Sequence, residues 1–166
     1  MSNRTAWVVA ASVVVIDRVT KLLVMRAIAE GASVDVVPGF LALTYVRNPG
    51  AAFGLFAAAS SPVRDVFLVA VGVAAVVGLG WLLVRLPLEQ RWQRLAAAAV
   101  IGGALGNLYD RLAYGKVVDF VDVYVGRWHW PAFNVADSCI TLGVSVLALA
   151  ALAGDRSKET RAETSN

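Results

Sequence analysis

The sequence has little cysteine, little histidine and little charge. It contains one cysteine, Cys139, and one histidine, His129, which excludes an internal disulfide framework and leaves no cluster with metal-ligand spacing. Only 16% of the residues are charged, and the formal net charge of +3 comes from basic residues dispersed along the chain. No block of Lys and Arg interleaved with aromatics indicates a nucleic-acid surface. We therefore expect no metal, no cofactor and no nucleic-acid partner.

Apolar residues take the place of the missing charge. They make up 58% of the 166 residues, whereas soluble domains carry roughly 45–50%. This composition leaves too little polar surface to cover a water-soluble globule, so a bilayer is the predicted solvent. Cys139 lies within an apolar run, where a buried thiol behaves as a small hydrophobe rather than as a nucleophile.

Four segments are long and apolar enough to cross a bilayer, which takes roughly 20 mostly apolar residues. They cover residues 6–28, 66–84, 92–109 and 133–153. Charges inside the first segment and the lack of a small-x-small cleavage site favour a retained helix over a cleaved signal peptide. We predict an all-α membrane protein with four transmembrane helices, formed as a single domain over residues 1–154. The polar tail, residues 155–166, is predicted to be a disordered cytoplasmic segment.

The basic residues predict which side the termini face, because four spans put both termini on one side. The segments on that side carry Arg4, Arg85, Arg91, Arg94, Arg156, Lys158 and Arg161. The opposite segments are longer and carry Arg47, Arg64, Arg111, Lys116 and Arg127. The higher density of positive charge predicts that both termini lie in the cytoplasm. Two stretches on the outer side, residues 36–46 and 117–125, are rich in β-branched and aromatic residues and are predicted to be short strands at the outer face.

Several polar residues fall inside or at the ends of the predicted spans, where an ionisable group costs about 2.5–3.5 kcal/mol and indicates a functional site. They are Asp17, Lys21, Asn107, Asp110, Arg111 and Asp137. The four-span arrangement puts most of them at the outer surface, together with Asn48, Asp119 and Asn134. Only the Asp17/Lys21 pair falls elsewhere. The topology therefore predicts one polar site at the outer membrane face.

Structural roles stay open for several of these residues. The alternatives are an i,i+4 ion pair for Asp17–Lys21, a capping box for Asn134-x-x-Asp137, an interfacial salt bridge for Asp110–Arg111, and close helix packing for Gly102-x-x-x-Gly106. Asp119 is harder to explain structurally, because its neighbours in the strand are valine and phenylalanine.

Asp119 and Asp137 have the chemistry for hydrolysis without a metal. Two carboxylates about 3 Å apart share one proton. The ionised member takes a proton from a water, and the protonated member hydrogen-bonds the developing oxyanion. The surrounding polar residues orient the pair or the substrate, and these are Asn48, Asn107, Asn134 and Arg111. The sequence has no G-x-S-x-G nucleophile elbow, and the Gly-x-Gly-Asp motif of presenilin-type proteases is absent.

Five motifs, in this order and spacing, resemble those of the lipoprotein signal peptidases (signal peptidase II). They are Asp17-Arg-Val-Thr-Lys21, Asn48-Pro-Gly-Ala-Ala-Phe-Gly54, Gly102-Gly-Ala-Leu-Gly-Asn-Leu-Tyr-Asp-Arg111, Val117-Val-Asp-Phe120 and Phe133-Asn-Val-Ala-Asp137. They extend from residue 17 to residue 137, which is nearly the whole predicted domain.

The resemblance implies a bacterial inner-membrane aspartyl endopeptidase that cuts diacylglyceryl-modified prolipoproteins just before the lipid-modified cysteine. It implies that Asp119 and Asp137 are the catalytic pair, at the outer face, in a chain that we expect to be a monomer among membrane lipids. It also implies supporting roles at the site for Asn48, Gly50, Asn107, Arg111 and Asn134, and structural roles for Asp17, Lys21 and Asp110.

Two other functions would use the same polar residues. A proton-coupled transporter or channel would spread its charged groups along a path across the bilayer, whereas here they concentrate at one face. A non-catalytic assembly factor would use the pocket for binding alone, and its function would survive replacement of either aspartate by asparagine.

Overall fold

The computed structural model describes the backbone of residues 1–50 and 62–163, and this part of the chain contains four helices and four strands. In chain order they are α1 (Asn3–Ala27), β1 (Ser33–Val37), β2 (Leu41–Asn48), α2 (Pro62–Arg85), α3 (Arg91–Tyr114), β3 (Val117–Val125), β4 (Trp128–His129) and α4 (Val135–Glu163). The predicted helical fold with a small β element is therefore confirmed.

Helix α3 lies at the centre and packs against the other three helices. Its small residues permit this close approach. A Cβ atom at Gly102 would lie 2.5 Å from the carbonyl oxygen of Ala10 in α1, and one at Gly103 would lie 2.5 Å from that of Ala136 in α4. Gly106 is equally tight against the side chain of Asp17. The close packing predicted for Gly102-x-x-x-Gly106 is confirmed.

Two helices in the described part of the chain are long and apolar enough to cross a membrane by length and composition, namely α2 and the segment Val135–Ala153 of α4. The prediction of four such spans is therefore met only in part. Helix α1 has charges in its second half, and α3 combines small residues with polar ones. The charged residues Asp17 and Lys21 of α1 are buried, as are Asn107 and Asp110 of the central helix α3, and these polar residues lower the hydropathy of both helices.

The outer surface of the helices is apolar and the interior is partly polar. Val63 in α2 is 76% exposed and Leu142 in α4 is 69% exposed, whereas Asp17, Lys21 and Asp110 are 0% exposed. This is the reverse of a soluble protein, in which such ionisable residues are almost never fully buried.

Helix α4 continues through Glu163, past residue 155, where the polar composition predicts the start of a disordered tail. After Gly154 the segment up to residue 163 contains no glycine or proline and is rich in Arg, Lys, Glu and Ala. These residues have high helix propensity, so the polar composition does not end the helix.

Arg94, which the sequence analysis places on the cytoplasmic side together with the termini, is fully buried. Its Nη1 donates to the carbonyl oxygens of Leu83 (2.9 Å) and Leu86 (2.5 Å), and its Nη2 donates to Asn3. The guanidinium thus satisfies carbonyls at the end of α2, which have no partner within the helix, and it ties α2 and α3 to the start of α1.

The strands form one antiparallel sheet in the order β1-β2-β3-β4. The strand predicted at 117–125 is β3, with the same bounds. The single strand predicted at 36–46 is wrong, because a turn at Pro38 and Gly39 divides it into a hairpin. Gly39 has φ +82°, and the Phe40 N–H donates to the Val37 carbonyl at 3.0 Å. Pro followed by a positive-φ Gly is the signature of a type II turn.

The sheet holds the start of α4 against β3. The Val121 N–H donates to the Phe133 carbonyl at 2.8 Å, and the Phe133 N–H donates to the Val121 carbonyl at 3.1 Å. A register shift between Leu43 and Val46 adds one residue to β2 opposite β3. Bulges of this kind re-aim side chains close to active sites, and this one ends opposite Asp119.

Candidate active site

Asp119 lies on β3 and is almost fully buried, with 2% of its surface exposed. Its Oδ2 accepts a hydrogen bond from Asn48 Nδ2 (3.0 Å), and its Oδ1 accepts one from Asn134 Nδ2 (2.7 Å). Burial raises the pKa of the Asp119 carboxyl to about 7, and the charge of Asp137 acts in the same direction. The two asparagine hydrogen bonds lower the pKa without cancelling this effect. Asp119 therefore holds a proton close to neutral pH.

Asp137 lies in the first turn of α4 and faces the same cavity as Asp119. Its Oδ1 accepts a hydrogen bond from Asn107 Nδ2 at 2.7 Å, and its Oδ2 accepts one from the Asn134 backbone N–H at 3.3 Å. Unpaired N–H groups in the first turn of a helix favour a negative charge there. The structure thus brings together the two aspartates that the sequence singled out.

Asn134 joins the two aspartates and caps α4 at the same time. Its Oδ1 accepts the Asp137 N–H at 2.8 Å, and its own N–H donates to the Asp137 carboxylate, which makes the reciprocal pair of a capping box. The predicted capping role is confirmed. The side-chain NH₂ of Asn134 also donates to Asp119, so the capping role leaves this group free to contact the site.

Three asparagine side chains are oriented so that their NH₂ groups point at the carboxylates. In each case the Oδ1 atom is occupied by another donor, so that turning the amide would set donor against donor. The donors are the Gly50 N–H to Asn48 (2.8 Å), Lys21 Nζ to Asn107 (3.0 Å) and the Asp137 N–H to Asn134 (2.8 Å). The site therefore presents neutral hydrogen-bond donors to both acids.

Arg111 lies at the end of α3 and binds the loop that follows β2. Its Nη2 donates to the Gly50 carbonyl oxygen at 3.0 Å. The predicted Asp110–Arg111 salt bridge is replaced by pairs of Asp110 with Lys21 (2.8 Å) and with Arg18. Arg111 instead links the cavity to the motif that begins at Asn48, of which residues 51–54 lie outside the described residues.

Four charged side chains, which we name the Lys21 cluster, lie behind the site. They are Asp17, Arg18, Lys21 and Asp110. The predicted ion pair of Asp17 with Lys21 is confirmed at 2.8 Å. The prediction that this pair lies apart from the site is wrong, because Lys21 also donates to Asn107, which binds Asp137. Arg18 was not predicted as part of this group, because its partner Asp110 lies 92 positions away along the chain.

A cavity of about 370 Å³ opens in front of the two aspartates. Its lining comprises Asn48, Asn107, Arg111, Val117, Asp119, Trp130, Pro131, Ala132, Phe133, Asp137, Ser138, Thr141 and Leu142. The apolar members between residues 130 and 142 were not predicted as site residues. On α4 these lining residues could have been predicted from their spacing, because residues 137, 138, 141 and 142 lie on one face of a helix. The cavity thus has a polar end and an apolar wall.

A family model described as "Signal peptidase (SPase) II" matches residues 9–153, a range that contains every residue of the site. The chain belongs to the signal peptidase II family. Its relatives in this family include a lipoprotein signal peptidase of Syntrophotalea carbinolica, 45% identical over 147 residues, which are 89% of this chain and 90% of the relative. Another, from Burkholderia thailandensis, is 47% identical over 135 residues, which are 81% of this chain and 80% of the relative. The chain is therefore a peptidase.

Two solved structures of bacterial membrane enzymes resemble this signal peptidase II family member. The first has a TM-score of 0.83 and 32% sequence identity, and the match covers 94% of this chain and 92% of the solved chain. The other has a TM-score of 0.79 at 33% identity, with coverages of 90% and 94%. With the apolar helices, these likenesses identify a membrane protein.

Proposed function

We propose that this protein is an aspartyl endopeptidase of the bacterial inner membrane that removes signal peptides from prolipoproteins. Its substrate carries a diacylglyceryl-modified cysteine, and the cut falls just before that cysteine. One observation carries the proposal. Asp119 and Asp137 line one cavity, each accepts asparagine hydrogen bonds, and neither forms an ion pair with the described residues. Carboxylates left without a cation can exchange a proton.

The first step is attack by water. An ionised carboxylate of the pair takes a proton from a water molecule in the cavity, and the water oxygen bonds to the carbonyl carbon of the scissile peptide. The protonated carboxyl donates its proton to the carbonyl oxygen as negative charge develops there. Because the pKa of Asp119 is raised to about 7, a protonated carboxyl is present at neutral pH.

The second step breaks the peptide bond. The tetrahedral intermediate collapses, the C–N bond cleaves, and the leaving nitrogen takes the proton that came from water. One hydroxyl proton of the intermediate returns to the pair, which again holds a single proton. Asn48, Asn107 and Asn134 keep their hydrogen bonds throughout and hold the carboxylates in place.

The apolar wall of the cavity supports a lipid-modified substrate. Trp130, Phe133 and Leu142 line the cavity beside the aspartates, and Leu142 is 69% exposed on the outside of α4. An acyl chain attached next to the scissile bond would contact this wall while the peptide carbonyl lies at the polar end. We also propose that the protein acts as a monomer.

We also propose that all four helices cross the inner membrane, with both termini in the cytoplasm and the site near the outer face. Val15 and Leu23 of α1 are each 59% exposed, so this helix presents apolar side chains outward although its charged residues are buried. The sheet carries Trp128, which is followed by Trp130, and tryptophan favours the interface between membrane and water.

The test of the proposed function is cleavage of a synthetic lipobox peptide by the purified protein. A peptide with a diacylglyceryl-modified cysteine is expected to give two products, one of which begins with the modified cysteine in mass spectrometry. The same peptide without the lipid is expected to be cut at least about tenfold more slowly, and a metal chelator is expected to leave the rate unchanged. Cleavage at another bond, or dependence on added metal, would contradict the proposal.

The pH dependence of cleavage follows from the raised pKa of Asp119. Its folded-state pKa of about 7 lies above its ordinary value of 3.8, so the carboxyl keeps its proton up to neutral pH and loses it above. We expect kcat/KM to fall about tenfold per pH unit well above pH 7, because both carboxylates are then ionised. A pH series of initial rates measures this limb. A rate that still rises at pH 9 would exclude a shared proton.

A further inference from the structure

We propose that Lys21 is a positioning residue for the two aspartates, acting through Asn107 and through the backbone that precedes each aspartate. This inference rests on the proposed function and deepens it. The side chain of Lys21 is 0% exposed, and its ammonium group has three partners in the described structure. An ammonium group has three N–H donors. Lys21 donates one of them to Asn107, and its positive charge pairs with the carboxylates of Asp17 and Asp110.

The first partner links Lys21 to the helix that carries Asp137. Lys21 Nζ lies 2.8 Å from Asp17 Oδ2, and Asp17 Oδ1 accepts the backbone N–H of Ala136 at 3.0 Å. Ala136 immediately precedes Asp137, and its N–H is one of the first-turn donors that have no partner within a helix. The start of α4 is thus held at a set position against α1.

The second partner links Lys21 to the strand that carries Asp119. Lys21 Nζ lies 2.8 Å from Asp110 Oδ2, and the same carboxylate oxygen accepts the backbone N–H of Val118 at 3.2 Å. Val118 immediately precedes Asp119. A buried carboxylate therefore stands behind each active-site aspartate, and the ammonium group of Lys21 joins the two.

The third partner orients the amide that binds Asp137. Lys21 Nζ donates to Asn107 Oδ1 at 3.0 Å, and Asn107 Nδ2 donates to Asp137 Oδ1 at 2.7 Å. Because the ammonium group can only donate, it requires the Asn107 oxygen to face it and leaves the NH₂ group for Asp137. Lys21 does not touch the cavity, and its effect on the reaction passes through these three contacts.

The charges of the Lys21 cluster dictate how it can be tested. Lys21 and Arg18 balance Asp17 and Asp110, and of these four side chains only that of Arg18 has any exposed surface. Removing Lys21 alone would leave a buried carboxylate without its partner and would unfold the protein for a trivial reason. The double variant Asp17→Asn/Lys21→Met removes one charge of each sign. The amide oxygen that this variant introduces at position 17 can still accept the Ala136 N–H.

The experiment compares kcat and KM for the diacylated peptide in two double variants. Asp17→Asn/Lys21→Met is expected to lower kcat by about 10- to 100-fold with KM within about twofold, because the Asn107 amide is no longer held and small displacements of reacting groups are costly. Asp17→Asn/Lys21→Gln restores an N–H donor toward Asn107 and is expected to recover part of kcat. Rescue by Gln is not expected from a charge that only stabilises the fold.

Arg94→Met is the matched control, because Arg94 is another fully buried cation, on α3, whose bonds are to the end of α2 and to Asn3. It is expected to lower the Tm while kcat stays within about twofold. Unchanged kcat in the folded Met double variant, an equal loss in Arg94→Met, or failure of both double variants to fold would overturn the positioning role. None of these results would contradict the proposed function. That proposal fails only if the wild-type protein does not cut the peptide at the lipid-modified cysteine.

Discussion

Asp119→Asn and Asp137→Asn are each expected to lower kcat for the diacylated peptide by about 10³- to 10⁴-fold. Asparagine has nearly the shape of aspartate, but it cannot take a proton from water or hold the shared one. The loss is expected in kcat rather than in KM, because the substrate still occupies the same cavity. Initial rates over a range of peptide concentrations separate the two constants.

The folded state is expected to survive these changes. The raised pKa of Asp119 means that its ionised form is disfavoured by burial above about pH 7, so a neutral side chain removes a cost rather than a stabilising charge. Thermal unfolding in detergent measures this, and a Tm at or above that of the wild type is expected at pH 8. A variant counts as a test of the catalytic role only if this measurement shows that it is folded.

Asp122→Asn is the matched control for the aspartate variants. Asp122 lies on β3 like Asp119, but its carboxylate binds His129 Nδ1 at 3.0 Å and does not line the cavity. Its kcat is expected to stay within about twofold of the wild type. If Asp119→Asn kept a tenth or more of the wild-type kcat while Asp122→Asn behaved similarly, the two-aspartate mechanism would be excluded.

Asn134→Ala is expected to have the second largest effect, with a loss of about 10²-fold in kcat and about 1 kcal/mol in stability. The substitution removes the 2.7 Å hydrogen bond to Asp119 and the acceptor for the Asp137 N–H. The first loss frees one carboxylate of the pair, and the second leaves the start of α4 without its cap. Steady-state kinetics and thermal unfolding measure the two losses separately.

Asn134→Ser separates the capping role from the role at the site. A serine oxygen can accept the Asp137 N–H as an N-cap, but it is too short to reach Asp119. We expect the Tm to recover while kcat stays low. Ser2→Ala is the control, because Ser2 caps α1 through the Thr5 N–H at 3.1 Å and lies outside the site. Recovery of kcat in Asn134→Ser would show that capping alone explains Asn134.

Patterns that lie within one element could be predicted from the sequence. The capping box of Asn134 and Asp137 and the ion pair of Asp17 and Lys21 join residues three or four positions apart, so helix geometry alone brings the partners together. The small residues of α3 indicated close packing for the same reason. The strand at 117–125 was predicted with its bounds because it is rich in β-branched and aromatic residues throughout.

Two local predictions failed because one signal was given too much weight. The prediction of one strand at residues 36–46 relied on the β-branched and aromatic residues there and ignored Pro38-Gly39. These two residues form the turn that divides β1 from β2. After residue 154 the polar composition outweighed helix propensity, and α4 continues to Glu163. In both places the backbone preferences of single residues decided the structure.

The sequence by itself determined the membrane class of the chain, its helical fold and the identity of the residues that gather at the site, because these follow from composition, short-range periodicity and motifs. Only the tertiary structure decided how those residues are connected. Asn48 reaches Asp119 across 71 positions, and Lys21 reaches Asn107 across 86. Such contacts depend on how α1, α3, α4 and the sheet pack against one another. The direction of each asparagine amide, and the link from Lys21 to both aspartates, follow from that packing.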